Sequence, residues 1–176
     1  MDELTSMIVS AHMNEKKVLI CGNGGLAAES DHFAAELMGK YGANVYVPCI
    51  ALTTSTALIT AIANDIGYDA VFSHQIGVLS KPGDILIAMT GGNPRIYGHS
   101  ANILRAIDRG HQCNLRTVLI CGLNFSPLRS VTPAQLVKRM ESKDGVEIQN
   151  LIIRYLHAVA FDVKQEIERL SNRPSP

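Results

Sequence analysis

Val18-Leu19-Ile20-Cys21-Gly22-Asn23-Gly24-Gly25 decides the architecture of this chain. Four consecutive apolar residues read as a short strand buried on both faces, and the glycines that follow read as a turn. Behind the turn, residues 26–40 have the composition of a helix. A strand, a glycine turn and a helix start together form an anion cradle. The first backbone N–H groups of the helix lack intrahelical partners, and glycines let a phosphate approach them closely. The glycine spacing fails G-x-G-x-x-G, and no Gly-Lys-Ser/Thr follows. The turn is therefore neither the dinucleotide fingerprint nor a Walker A loop. It points to a phosphorylated small molecule.

The helix behind the turn carries His32 and Glu36, four residues apart and hence on one face. That spacing lets a His and a Glu share one metal ion or act as an acid/base pair beside a bound sugar. An exposed polar pair on a helix surface is the competing reading. Position favours the chemical one, because the pair follows the cradle by two to three turns.

Further strand-like apolar runs lie at 45–52, 85–89, 118–121 and 136–140, with helical stretches at 55–65, 71–79 and 100–109. Apolar strands alternating with helices predict an α/β fold, a five-stranded parallel sheet covered on both faces. Ligands of such sheets bind beyond the carboxyl ends of the strands. The turns at 22–25 and 90–93 are both strand-end loops and are expected to share one crevice. Leu151, Ile152, Tyr155, Leu156, Val159, Val163, Ile167 and Leu170 recur at helical spacing and predict a long last helix, which Pro174 forbids from continuing. A short helix at 4–13 is expected to pack on it or on a neighbouring subunit, and the pair of apolar helices predicts an oligomer.

A chain of 176 residues, 47% hydrophobic and with no net formal charge, fits one globular domain spanning 1–176. No basic stripe with interleaved aromatics supports nucleic-acid binding. No apolar run approaches membrane-spanning length, and the N-terminus does not read as a signal peptide. Cys21, Cys49, Cys113 and Cys121 form no Cys-x-x-Cys pair and suit a reducing cytoplasm rather than a disulfide framework or a cysteine metal site.

Cys21-Gly22-Asn23-Gly24-Gly25, read with Asp31-His32-Phe33-Ala34-Ala35-Glu36-Leu37, resembles a sugar isomerase (SIS) domain, and more narrowly the phosphoheptose isomerases. Ile50-Ala51-Leu52-Thr53-Thr54, the stretch from Thr60 to Tyr68, Val71-Phe72-Ser73, Pro82-Gly83-Asp84 and Ile148-Gln149 carry the resemblance over nearly the whole chain. It implies a flavodoxin-like doubly wound sheet, a homotetramer, and one zinc per active site held between subunits. The family's metal ligands fall on His32, Glu36, Gln149 and His157. Glu36 is implied as base and His157 as complementary acid/base for aldose–ketose interconversion of sedoheptulose 7-phosphate through an enediol, in bacterial surface-sugar (lipopolysaccharide) synthesis. Gln149 and His157 are eight residues apart, about 12 Å along one helix axis. Either Gln149 precedes regular helix, or the two meet one ion from different chains.

The turns and the resemblance together assign substrate contacts to Asn23, Gly24, Gly25, Asn64, Asp65, Thr90, Gly91, Gly92, Asn93 and Ser100. For Asp65 a helix-end cap is an equal alternative. The chain departs from the family pattern at Leu26, where a serine is usual, and at Met89-Thr90-Gly91-Gly92-Asn93, which replaces a serine-rich phosphate loop. Six residues, 94–99, then intervene. Ser100 is expected to cap the next helix and donate to phosphate. Arg95 can compensate for lost hydroxyls, and Tyr97 and His99 either enter the site or lie on the surface, the latter being favoured. The competing functional class is a non-catalytic SIS module that binds sugar phosphates or serves as a protein-binding platform, as in replication initiator-associating proteins. An isomerase of another sugar phosphate is the third reading.

Overall fold

The computed structural model describes residues 1–92, 99–125 and 133–172. Five parallel strands form one sheet: β1 (Val18–Cys21), β2 (Cys49–Ala51), β3 (Ile85–Thr90), β4 (Arg116–Gly122) and β5 (Leu136–Met140). Their order is β2-β1-β3-β4-β5, the flavodoxin-like arrangement expected from sequence. Among the described residues six α-helices accompany the strands: α1 (Glu3–Met13), α2 (Gly25–Met38), α3 (Thr56–Asp65), α4 (Val71–Leu79), α5 (Ala101–Gln112) and α6 (Gly145–Ser171).

The unbroken apolar strands are explained by the two cores they separate. Alternate side chains of a strand point to opposite faces. Val18 and Ile20 of β1, with Ile85 and Ile87 of β3, pack beneath α1, α2 and α6. Leu19 and Cys21, with Leu86 and Ala88, pack against α3, α4 and α5 on the other face. Each fully buried side chain of this size contributes roughly 1.5–3 kcal/mol. The edge strand β5 carries Lys138 and Arg139, charges that discourage edge-to-edge pairing.

The strand expected over 45–52 is shortened to Cys49–Ala51. Val47 donates its N–H to the Leu37 carbonyl at the end of α2, and Pro48 has none to give. Only Cys49 onward is free to join the ladder with β1. The long last helix begins at Gly145, three residues before Ile148, because Asp144 caps it by accepting the Glu147 N–H at 2.9 Å. As expected, α1 and α6 pack on each other, with Leu4 and Ile8 sharing a core with Ile152 and Leu156. Tyr155 Oη donates to Asp2 Oδ1 at 2.6 Å.

All four cysteines are free. Burial pushes the Cys21 and Cys49 thiols well above the usual range and raises Cys121 to about 11. Among the described residues no helix is long and apolar enough to cross a membrane.

Candidate active site

The strand order reverses between β1 and β3, where the carboxyl ends of two neighbouring strands send their chains to opposite faces. A crevice opens at such a switch point. Here it is a cleft of about 200 Å³. Asn23, Gly25 and Leu26 line it from the β1–α2 turn, and Met89 to Gly92 from the end of β3. His99 and Ser100 close it ahead of α5, and Gly145 and Gln149 close it from α6. The two strand-end turns thus share one crevice, as the sequence predicts.

Gly24 precedes α2 with φ +60, a conformation that favours glycine, and no side chain caps the helix. At Gly25 the reason for glycine is proximity. A Cβ there would sit 2.2 Å from Gln149 Oε1, so only a bare backbone admits Gln149 to the turn. The Gln149 amide is in turn donated to Glu29 Oε1 at 3.3 Å. Gln149 lies within α6, which removes the alternative that it precedes regular helix.

Several polar side chains of the cleft are already engaged. Asn23 and Asn102 each donate a side-chain amide N–H to the other's Oδ1, both at 2.8 Å, and Tyr68 Oη donates to Asn23 Oδ1 at 3.2 Å. Asn102 is buried and clamps the first turn of α5 to the glycine turn. Sequence reading missed this role; the available signal was an Asn inside the otherwise apolar buried face Ala101-Ile103-Leu104. Thr90 Oγ1 accepts the Gly92 N–H at 3.3 Å. Ser100 differs from expectation: it occupies the cap position of α5, but φ 55 and ψ 26 turn it left-handed and its hydroxyl makes no capping bond. His99, favoured as a surface residue, is exposed yet lines the cleft. Asn93, Arg95 and Tyr97 lie outside the described residues.

About 10 Å further along α2, by the 1.5 Å helical rise from Gly25 to His32, a second centre forms. His157 Nδ1 lies 2.5 Å and His32 Nε2 3.1 Å from Glu36 Oε1. The two imidazoles meet edge to face, with ring centroids 5.0 Å apart. The Glu36 side chain is 8% exposed, against 48% for His32 and 39% for His157, so a buried carboxylate faces out between two open rings. Glu36 Oε2 is buried and has no hydrogen-bond partner. The wholly buried Lys164 lies deeper, its ammonium donated to the Gly39 carbonyl at the end of α2 and 5.8 Å from the Tyr46 ring. Burial lowers the Lys164 pKa, and the charge of Glu36 opposes that shift.

Four predicted ligands thus divide. His32, Glu36 and His157 converge, with ligand atoms all within 4.8 Å of one another, while Gln149 stays two turns away at the cleft. Two imidazoles and a carboxylate match the three-ligand sets of catalytic zinc, which leave a position open. The orphaned buried oxygen of Glu36 is the feature that an ion would satisfy, so the residues present fit a metal. Asn64 and Asp65 are not among the residues lining the cleft. They sit exposed at the end of α3, where the Asn64 amide donates to Asp65 Oδ1 at 2.8 Å.

Comparison with known proteins agrees with this architecture. The model of the SIS domain family matches residues 1–122. Phosphoheptose isomerase of Campylobacter concisus is 39% identical over 160 residues, covering 90% of this chain and 81% of that protein. Phosphoheptose isomerase of Shewanella sediminis is 35% identical over 163 residues, covering 92% and 80%. The structure of phosphoheptose isomerase from Neisseria gonorrhoeae superposes with a TM-score of 0.81 at 30% identity, covering 92% of this chain and 83% of that one. The chain belongs to the SIS domain family and, within it, to the phosphoheptose isomerases, and it is an isomerase.

Proposed function

We propose that this protein interconverts sedoheptulose 7-phosphate and a heptose 7-phosphate through an enediol. The observation that carries the reading is the Glu36–His157 pair, a buried carboxylate with one free oxygen beside an open imidazole. Glu36 removes a proton from carbon 1, and the electron pair forms the C1=C2 double bond. His157 meanwhile delivers a proton to the oxygen on carbon 2. His157 then recovers a proton from the oxygen on carbon 1, and Glu36 returns its own to carbon 2. Atoms and charge balance, and both residues end as they began. The sugar's phosphate is held at the cleft by the Gly25 N–H that opens α2 and by Ser100, the Leu26 and Ala27 N–H groups being donated to the Asn23 and Gly24 carbonyls.

A zinc ion held by His32, Glu36 and His157 would orient the substrate oxygens and stabilise the negative charge that develops on them; Glu36 would give up part of that coordination to substrate when it acts as base. Gln149 would complete that set from a neighbouring copy. This assignment is supported by its separation from His157 along α6 and by its contact with Glu29 in the same chain. The reading takes the protein as a cytoplasmic homotetramer working in bacterial surface-sugar synthesis.

The test follows solvent deuterium into carbons 1 and 2 of sedoheptulose 7-phosphate, with zinc and after chelation. Exchange by the wild type, reduced about 10²–10⁴-fold in Glu36→Gln, is the expected result. Binding of sugar phosphate with no exchange in the wild type would leave only a sensor or a protein-binding platform.

A further inference from the structure

An anion entering the cleft finds few side chains able to greet it. Asn23 is committed to Asn102 and Tyr68, the Gln149 amide to Glu29, and the Thr90 hydroxyl to the Gly92 backbone. Leu26, Met89 and the glycines offer no polar side chain. Among the described lining residues, only the Ser100 hydroxyl and the His99 imidazole carry no hydrogen bond, and His99 alone can bear a charge. Its Nε2 lies 2.9 Å from where a Gly92 Cβ would stand, so the glycine lets the ring lie directly over the loop that ends β3. Ser100, left-handed at the start of α5, lines the cleft next to it and makes no capping bond.

We propose that His99 is the residue that selects phosphorylated over unphosphorylated sugar, by donating an imidazole N–H to the phosphate at the cleft beside the start of α2. The proposal rests on the isomerase reading for its substrate but not for its anion. His99 takes no part in proton transfer at carbon; it anchors the end of the substrate remote from Glu36. A bond to the charged phosphate is distinguishable from a bare hydroxyl contact because a lysine ammonium at the same position can replace it.

Titration with inorganic phosphate and steady-state kinetics on sedoheptulose 7-phosphate test this, using wild type, His99→Ala, His99→Gln and His99→Lys. His99 is solvent-exposed, so the variants are expected to melt with the wild type. The expected result for His99→Ala is a loss of about tenfold in phosphate affinity, matched by a rise in KM with little change in kcat. Affinity for unphosphorylated sedoheptulose stays unchanged. His99→Lys recovers most of the phosphate affinity, and His99→Gln does not. If His99→Ala binds phosphate as the wild type does, the proposal is overturned while the isomerase stands. If the wild type isomerises nothing, the isomerase reading falls, and the phosphate titration still decides the role of His99.

Discussion

Asp84 shows how much a single side chain does here outside any chemistry. It is 1% exposed and stands just before β3. Its carboxylate accepts the Lys81 N–H at 2.7 Å, the Lys17 N–H at 3.1 Å and the Lys17 ammonium at 2.5 Å. Asp84→Ala leaves the half-buried Lys17 ammonium and two backbone donors without that partner. Urea denaturation should register a loss of about 2–3 kcal/mol, whereas the exposed Asp108→Ala should stay within about 0.5 kcal/mol. Nothing near Asp84 in the sequence announced this, since Lys17 lies 67 residues away. The same distance problem hid Asn102, whose partner is 79 residues back, and Lys164, whose partner is 125 back. His32 and Glu36 were legible because helical periodicity alone places them together. His157 became legible only through resemblance, since a lone helix histidine carries no spacing signal of its own.

At the scale of elements, strands were read more securely than their ends. β1 and β3 are apolar on both faces and could be nothing but central, whereas Pro48 cut β2 short in a way that hydropathy does not register. The start of α1 shows how separate elements are stitched together. Asp2 caps the helix through the Leu4 N–H, pairs with Lys138 of β5 at 3.0 Å and accepts the Tyr155 hydroxyl of α6. Burial alone would raise the Asp2 pKa, but the hydrogen bonds from Tyr155, Lys138 and Leu4 outweigh it and hold the carboxyl below its ordinary value. A depressed carboxyl pKa stabilises the fold above the unfolded value of about 3.9, and that contribution disappears as pH falls through the folded one. Asp2→Asn should therefore melt earlier than wild type at pH 7, by a margin that narrows as pH drops below about 4 and closes in stronger acid. Thermal melts of the two proteins across that range check it.

For the whole molecule, topology matters more than any one contact. The order β2-β1-β3-β4-β5 puts the cleft at the reversal point, and residue 149 meets 25 and 29, 157 meets 36, and 164 meets 39. Those successive contacts mean that α2 and α6 run side by side in the same direction. Sequence reading recovered the layers and the shared crevice because both follow from alternation of strands and helices. It did not recover the lateral pairing of α2 with α6, which depends on how the last helix folds back across the sheet.

That pairing turns the two helices into a fixed gauge for chain length. On the proposed reading one end would grip an anion and the other would handle a carbonyl, with the rise of the helix setting the interval between them. A substrate shortened by two carbons, such as a pentose phosphate, can satisfy either end but not both. Its kcat/KM should accordingly fall by about a hundredfold or more relative to sedoheptulose 7-phosphate, a comparison that competition kinetics on the two sugars would settle.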